Sequence, residues 1–464
     1  MKRYGAVILA AGKGTRMKSN YCKILHPIAG RPMLAYVLDA VSALTVVDKM
    51  GVVIGHQADA VTRLFQRKDL NFLKQEPQLG TGHAVKQCAG LFREFNGHLL
   101  IICGDTPLIK HETLAAFVEY HDRKASLMSV LTTNLENPFG YGRILRDKTD
   151  NIEKIVEERD ANSFEKAIKE INTGIYIVES NLLFGLLDEI RADNSQKEYY
   201  LTDVVTLARA RGVTVFGCHT QDSSAVIGIN SRADLAAANS AMWDRIRRKI
   251  MSEGATLLDP PSFYGDFGIT VGPDTVIYPN VVITGNSVIG NECLIEPGCL
   301  IGDSKIGDRV RILLGSKLDK VEIGSGSSIG PMANLRPDTK IGRNARIGNF
   351  VEVKNSIVGE GSKAAHLTYL GDSRIGEDVN IGCGTITCNY DGKNKHQTII
   401  EKGCFIGSDV QFVAPVTIGS GSVIGAGSTI TKDVPPNSLA VSRCKQKIFP
   451  LRSGQGMASK HEDR

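Results

Sequence analysis

The sequence predicts two folds in one chain, an α/β half followed by a parallel β-helix, and three observations predict it. From Val271 to Ile430 an aliphatic residue returns at every sixth position, usually beside glycine or another small residue. Before about residue 229, short apolar runs alternate with segments of helical periodicity. At 464 residues the chain is also too long for one ordinary core.

In the first half, Ala6–Ala11, Gly51–Ile54, Leu99–Cys103, Leu127–Leu131 and Gly174–Val178 read as buried strands. Met33–Leu44 and Thr113–His121 read as helices between them. Strands alternating with helices imply a mostly parallel sheet covered on both faces, and ligands of such sheets gather at the carboxyl ends of the strands. Asp234–Ser252 holds no proline or glycine and reads as one long helix, with Ser231 or Asp234 near its start and Gly254 beyond its end. The expected division is therefore residues 1–230, a linker helix at 231–253, and a β-helix domain at 254–464 with a mobile tail after Pro450.

The repeat runs in three registers: Val271, Ile277, Ile283, Ile289, Ile295, Ile301; then Ile323, Ile329, Leu335, Ile341, Ile347, Val353; then Ile400, Ile406, Phe412, Ile418, Ile424, Ile430. Neither the 3.6 period of a helix nor the 2 period of an ordinary strand produces this. A six-residue repeat is that of a parallel β-helix, in which each short strand points one aliphatic side chain inward and stacked coils bury it. Lys363–Asp372 and Thr385–Lys393 interrupt the pattern.

Apolar residues at 42% and charged residues at 23% are the balance of a soluble globular protein. A formal charge of +5 is small for this length; it points away from nucleic acid and is compatible with phosphorylated small molecules. No apolar run approaches the roughly 20 residues of a membrane span. Lys2 and Arg3 before Ala6–Ala11 look like the start of a signal peptide, but Gly12-Lys13-Gly14-Thr15-Arg16 interrupts the run, and a buried first strand fits better. The cysteines are scattered with no Cys-x-x-Cys pair, so neither zinc nor a disulfide framework is expected, and Cys293 and Cys299 sit at equivalent repeat positions as small core residues. A reduced, cytoplasmic protein is expected, without membrane insertion.

The first strand runs into Leu9-Ala10-Ala11-Gly12-Lys13-Gly14-Thr15-Arg16-Met17, with Lys23 following. Small residues let the backbone approach a ligand, and amides with Lys13, Arg16 and Lys23 offer positive charge to phosphates. The loop is not a Walker motif, and Met17 stands where a dinucleotide fingerprint needs its third glycine. By itself it is equally a tight strand-to-helix turn with solvated charges; Asp105 by itself also has a bland reading, as a turn cap at a strand end, though not the favoured one.

Further motifs follow in order: Gln75-Glu76-Pro77-Gln78-Leu79-Gly80-Thr81-Gly82-His83-Ala84, Cys103-Gly104-Asp105, Gly140-Tyr141-Gly142-Arg143, Ile155-Val156-Glu157, Asn172-Thr173-Gly174 and Gly228-Ile229-Asn230. Together they resemble sugar-nucleotide pyrophosphorylases. With the hexapeptide half included, roughly residues 4 to 447 resemble the bifunctional GlmU family. That resemblance implies a Rossmann-like nucleotidyltransferase domain followed by a left-handed parallel β-helix of hexapeptide repeats. It also implies a glucosamine-1-phosphate N-acetyltransferase joined to an N-acetylglucosamine-1-phosphate uridylyltransferase, a homotrimer, and a place in the synthesis of cell-envelope polysaccharides.

The resemblance also implies residue roles. Leu9, Ala10, Ala11, Gly12, Lys23, Gln75, Gly80 and Thr81 hold the uridine nucleotide; Gly142, Glu157 and Asn172 hold the amino sugar; Asp105 and Asn230 hold Mg²⁺. A sugar-phosphate oxygen attacks the α-phosphorus of UTP and expels pyrophosphate, so anions must be neutralised and held in line, and Arg16 and Lys23 suit that task. Mg²⁺ prefers oxygen ligands, and one carboxylate plus one amide leaves room for phosphates and water. In the second half, moving acetyl from acetyl-CoA to an amine requires a base, and an imidazole suits it; His366 is the expected general base. Arg336, Lys354, Tyr369 and Asn380 are expected to hold the sugar phosphate. Asn389 and Tyr390 lie in the same active-site signature and, with Cys383, Ser408, Ala426 and Arg443, are expected at acetyl-CoA. Three positions depart from the family pattern: Cys22 for a frequent proline, Cys103 for a common tyrosine, and Cys383 for alanine.

Overall fold

The computed structural model describes residues 2–450, so the tail beyond Pro450 lies outside the described residues. The chain divides into two compact units that meet between Arg245 and Ile246.

The first unit is built on one sheet. Its strands are β1 (Tyr4–Ala10), β2 (Val47–Ile54), β3 (Leu70–Lys74), β4 (His98–Cys103), β5 (Met128–Asn134), β6 (Arg143–Arg146), β7 (Ile152–Val156), β8 (Glu170–Glu179) and β9 (Val215–His219). Across the sheet, among the described residues, they lie in the order β3-β2-β1-β4-β8-β5-β9-β7-β6. The first four are parallel, because helices such as Met33–Ser42 carry the chain back between them. The remainder is mixed: β8 runs antiparallel to both β4 and β5, so the sheet is less parallel than the alternation of apolar runs predicts. β1 and β4 are almost wholly buried, and β2 is buried from Met50 to Ile54, as apolar strands covered on both faces must be.

What matters for function is the register. Ala10 pairs with Ile54 and Leu9 with Cys103, while Ile54 pairs with Lys74. The segments starting at Ala11, Gln75 and Gly104 therefore leave the sheet side by side from adjacent carboxyl ends. The helix Arg232–Ser252 follows, extending the expected one by two residues. Ser231 Oγ accepts the Asp234 N–H at 3.1 Å and the Asp234 carboxylate accepts the Ser231 N–H at 2.8 Å, a reciprocal cap that fixes the helix start. Gly254, at φ +100°, ends it with a backbone angle that a side chain disfavours.

The second unit is a parallel β-helix of short strands in three sheets, of 11, 10 and 9 strands among the described residues. Each strand pairs with the one a full coil later: Ile277 with Ile295, then Ile295 with Ile312. Every residue of the three sequence registers is buried. Each such isoleucine contributes about 1.5–3 kcal/mol on burial, so the stacked column is the main stabilising element of this unit. The registers shift because some coils are one residue shorter, as between Ile301 and Ile306, both buried. Cys293 and Cys299 are inward and buried as expected.

One expected interruption is not a break. Lys363–Asp372 stays in the solenoid, with strands Lys363–His366 and Tyr369–Gly371 and with Ala364 and Leu370 buried in the column. A small alanine in an inward place weakened the apolar pattern without changing the path. The second interruption does leave the coil: after strand Ile386–Cys388 the chain makes an excursion closed by a bridge between Tyr390 and Lys395, and returns at Thr398–Ile400.

Candidate active sites

In the first unit, a cleft of about 470 Å³ opens over the carboxyl ends of β1 and β4, lined by the loop after β1 together with Lys23, Gln75, Gly80, Thr81 and Asp105. Gly14, at φ +62°, lies so close to Lys23 that a Cβ would come 2.7 Å from the lysine Cβ. Gly12 differs: no atom lies within 4 Å of where its Cβ would stand. Its missing side chain leaves open space in the cleft, which is where a ligand would approach the backbone. Gln75 is buried and its amide donates to the Gly80 carbonyl at 3.0 Å, holding the turn that carries Thr81. Thr81 Oγ1 accepts the Leu201 N–H at 3.0 Å. Gln78, quoted within its motif but assigned no role by sequence reasoning, donates to the Ala11 carbonyl at 3.1 Å and ties the two loops together.

At one end of the cleft, charges converge. Lys23 Nζ forms an ion pair with Asp105 and donates to Asn230 Oδ1 at 3.1 Å, and Arg16 Nη2 donates to the same oxygen at 2.8 Å. The oxygens of Asp105 and Asn230 thus face one point, from loops far apart in sequence. A Cβ on Gly228 would lie 3.3 Å from Asp105 Oδ1 and 3.6 Å from Asn230 Nδ2, so the glycine keeps the space beside both groups clear. Hard oxygen donors around a cleared space suit a divalent cation of the magnesium type, which keeps water and phosphate ligands. Among the described residues no three His, Cys, Asp or Glu side chains gather into a closed metal cage, so a structural zinc site is not built there. Tyr141 stands near: burial, then the charges of Asp105 and Asp234, push its hydroxyl up to about 12 and keep it protonated. Cys103 also lines the cleft, and burial pushes its thiol up to about 12.

The three residues expected at the amino sugar also come together. A Cβ on Gly142 would meet Ile155 at 3.0 Å and both Asn172 Cβ and Glu157 Oε2 at 3.6 Å. Asn172 sits beside an irregularity of β8, where pairing with β5 shifts between Asn172 and Tyr176 and Gly174 takes φ +77°. Its backbone N–H is held by the Gly142 carbonyl at 2.9 Å. Glu157 accepts the Thr202 hydroxyl at 3.1 Å, and burial pushes its carboxyl above the usual range. Behind the loop, buried Arg143 pairs with Glu158 at 2.6 Å, and Glu158 also accepts the Gly140 N–H at 3.1 Å.

In the second unit five of the expected residues, His366, Cys383, Ser408, Ala426 and Arg443, share one edge of the prism. The Leu367 N–H donates to Asn349 O at 3.0 Å, Gly384 to Leu367 O at 3.0 Å, Asp409 to Cys383 O at 2.7 Å, and Gly427 to Ser408 O at 2.8 Å. Arg443 Nη1 then donates to the Ala426 carbonyl at 3.0 Å. His366, Cys383, Ser408, Ala426 and Arg443 therefore stand one per coil along a single corner, and from His366 to Ala426 this corner runs about 14 Å at the usual spacing of neighbouring strands. On the adjoining sheet, Glu352 pairs with Tyr369 and Lys354 with Gly371 in register, and Arg336 forms an ion pair with Glu352 at 2.9 Å. Asn380 follows one coil after Lys363 on the sheet that carries His366. Asn389 is buried and donates to Asp372, which also accepts Asn355 Nδ2 at 2.5 Å. Tyr390 is exposed on the excursion, and Lys395 of the same excursion lies against Lys354, whose side-chain hydrogen bond, then its charge, holds the Lys395 ammonium below its usual range. Sequence reasoning missed Lys395 and Asn349. The signal for the second was available: Asn349 precedes His366 by one coil and pairs with it in register.

Comparison with known proteins agrees with both halves. Residues 6–171 match the model of the MobA-like NTP transferase domain, and residues 268–303, 320–355 and 397–432 match the bacterial transferase hexapeptide repeat. With the three parallel sheets, these matches identify a left-handed parallel β-helix of hexapeptide repeats. The protein named bifunctional protein GlmU in Pelobacter propionicus is 49% identical over 447 residues, covering 96% of this chain and 97% of that one. Its namesake in Heliobacterium modesticaldum is 49% identical over 448 residues, with 97% of each chain covered. That of Geobacter sulfurreducens is 47% identical over 464 residues, with 96% and 97% covered.

Proposed function

The chain belongs to the bifunctional GlmU family, and from that premise we propose how its residues divide two reactions. It is an enzyme with both activities of the family, glucosamine-1-phosphate N-acetyltransferase and N-acetylglucosamine-1-phosphate uridylyltransferase. Its substrates are small molecules: the two sugar phosphates, UTP and acetyl-CoA.

In the first unit, Leu9–Gly12, Gln75, Gly80 and Thr81 bind the uridine nucleotide, and Gly142, Glu157 and Asn172 bind the amino sugar. Asp105 and Asn230 hold Mg²⁺, which when bound neutralises charge on the triphosphate. Lys23 already lies on both residues' oxygens, and Arg16 on that of Asn230. They are placed to move onto phosphate oxygens and stabilise charge on the α-phosphoryl group as the sugar phosphate attacks and pyrophosphate leaves.

In the second unit His366 takes the proton from the glucosamine amine as it attacks the thioester, and coenzyme A leaves as the thiol. Arg336, Lys354, Tyr369 and Asn380 hold the sugar phosphate; Asn389 and Tyr390, with Cys383, Ser408, Ala426 and Arg443, hold acetyl-CoA. One observation carries this reading: the corner of the prism that bears His366 also bears, coil by coil, Cys383, Ser408 and Ala426, with the Arg443 side chain bonded to the last.

The assembly is a homotrimer packed along the β-helix. In support, the same corner exposes one large apolar residue per coil before His366: Leu314 at 45%, Met332 at 46% and Phe350 at 59%, with Leu367 at 58% beyond it. Met332, Phe350 and Leu367 take φ of +53°, +54° and +42°, where a bulky residue costs about 1–2 kcal/mol against glycine. Side chains kept there at that cost are understandable if a neighbouring subunit covers them. The described cysteines are all unpaired, which suits the reducing cytoplasm.

The deciding experiment mixes protein, Mg²⁺, acetyl-CoA, glucosamine-1-phosphate and UTP and follows free thiol and pyrophosphate. His366→Ala should abolish thiol release and spare pyrophosphate release from added N-acetylglucosamine-1-phosphate; Asp105→Ala should do the reverse. Loss of both activities in either folded variant refutes the division of labour.

A further inference from the structure

His366 is exposed, and an exposed imidazole has two nitrogens either of which can carry the proton of the neutral ring. General-base catalysis needs one of them free and facing the amine, so something must select the tautomer. In this structure His366 Nδ1 lies 2.6 Å from Asn349 Oδ1. A carboxamide oxygen can only accept, so Nδ1 carries the proton and the lone pair is left on Nε2. We propose that Asn349 is a positioning residue for the acetyl transfer: it fixes the Nδ1–H tautomer and the ring orientation of His366. This rests on the reading of His366 as the base.

The backbone is built to bring the two side chains together. Asn349 and His366 pair in register across adjacent parallel strands. Directly before Asn349, a Cβ on Gly348 would overlap the Ala365 carbonyl oxygen, so only glycine permits this close approach of the two coils. Directly after His366, the Leu367 N–H donates to the Asn349 carbonyl at 3.0 Å, and Thr368 Oγ1 donates to the His366 carbonyl at 2.7 Å. Asn349 thus engages the imidazole through its side chain and the following turn through its backbone. Its neutral amide has a chemical consequence. A carboxylate in that place would favour the imidazolium and remove free base at neutral pH, whereas an amide orients the ring without charging it.

The test uses the full-length enzyme and three variants, with thiol release as readout and pyrophosphate release as control for folding. Asn349→Ala should lower kcat for acetyl transfer by about 10- to 100-fold, the loss seen when the hydrogen-bond partner that orients a metal-bound histidine is removed, with little change in KM for acetyl-CoA. Asn349→Asp keeps an acceptor, so it should recover most of kcat at high pH while the acid limb of the pH–rate profile moves up by about one pH unit. A purely structural role would give neither the recovery nor the moved limb. Two-bond ¹H–¹⁵N correlation should find neutral His366 protonated on Nδ1, and an Nε2–H tautomer overturns the proposal. Full kcat and an unmoved profile in both Asn349 variants also overturn it. His366→Ala separates the two claims: if it retains acetyl transfer, the base assignment fails whatever Asn349 does.

Discussion

Glu157 offers a test in which binding and stability should move in opposite directions. Its carboxyl accepts one hydrogen bond, from Thr202, and its other oxygen faces the gap between Gly142 and Asn172. No cation is among the groups that set its protonation; burial comes first and pushes its carboxyl up. A desolvated carboxylate without a counter-ion is costly to the folded chain unless a ligand donates to it. Glu157→Gln keeps the shape and the Thr202 contact but removes the charge. A hydrogen bond to a charged group contributes about 1.5–3 kcal/mol, and 1.4 kcal/mol is a factor of ten. The variant should therefore raise KM for N-acetylglucosamine-1-phosphate roughly 10- to 150-fold in the pyrophosphate assay, leaving KM for UTP and the whole acetyl transfer unchanged.

Stability supplies the second readout. Because the folded carboxyl binds its proton more tightly than the unfolded one, wild-type stability falls as pH rises through the unfolded carboxyl range, near about 4.3. The glutamine variant is spared that loss. Its Tm should exceed that of wild type at pH 7.5 and converge with it near pH 4. A KM for the sugar phosphate equal to that of wild type, or a lower Tm at pH 7.5, would show that Glu157 is a structural carboxylate and not a ligand group.

Gly12→Ala should leave Tm unchanged, because its Cβ would meet no atom, while raising KM for UTP by about 5- to 150-fold, as overpacking of about 1–3 kcal/mol implies; an unchanged KM would mean that the nucleotide does not approach Gly12. In the first unit, buried His121 contacts His98 at 2.9 Å, and burial, then the His98 charge, pushes its imidazole down to about 3. Stability tied to this pair is complete above the unfolded value near about 6.5 and is lost as pH falls toward the folded one, each tenfold difference in proton affinity between the two states contributing about 1.4 kcal/mol. His121→Gln should accordingly flatten the decline of Tm between pH 6.5 and pH 4, and an identical decline would exclude the pair as its source. Leu314→Glu combined with Met332→Glu should yield monomers by sedimentation velocity, with acetyl transfer lost and uridylyl transfer retained; trimers with full acetyl transfer would move the interface elsewhere.

The β-helix was legible because its period is unlike that of any other element and because its core is a single column: the residues of the three registers could be identified as inward without knowing their partners. What the period concealed was the length of a coil. Most stacked neighbours lie seventeen or eighteen residues apart, so Asn349 and His366 look unrelated in a six-letter pattern although they are adjacent in space. In the α/β half, apolar runs located β1, β2, β4, β5 and β8, but an apolar run carries no direction, and the antiparallel insertion of β8 could not be read from it. The strands β6 and β7 were missed because they are short and charged, with arginine at both ends of one and Glu153 and Lys154 inside the other. The assigned residues of the first cleft were named through the resemblance. Their convergence, with Lys23 and Arg16 on the oxygens of Asp105 and Asn230, is a tertiary fact that no local pattern holds.

The three cysteine departures show why position in the fold, and not distance along the chain from a functional residue, decides their consequence. Cys22 precedes Lys23 yet is buried; its N–H donates to Gln57 Oε1 at 2.9 Å, and burial pushes its thiol up, so it supports the loop without lining the cleft. Cys103 lines the cleft, but burial pushes its thiol up to about 12, so near pH 7 it stays neutral and is a poor nucleophile. Its effect must be steric: it is smaller than tyrosine and lies 3.2 Å from where a Cβ on Gly174 would stand, beside the irregularity that presents Asn172. Cys383 contributes its carbonyl to the corner ladder, a role any residue can fill, and only its side chain adds bulk beside the path proposed for CoA. Cys103→Tyr is therefore the informative reversion. It should alter the preference among sugar phosphates in the pyrophosphate assay and leave acetyl transfer untouched, whereas Cys22→Pro should change neither preference; a shift caused by Cys22→Pro alone would reverse this ranking.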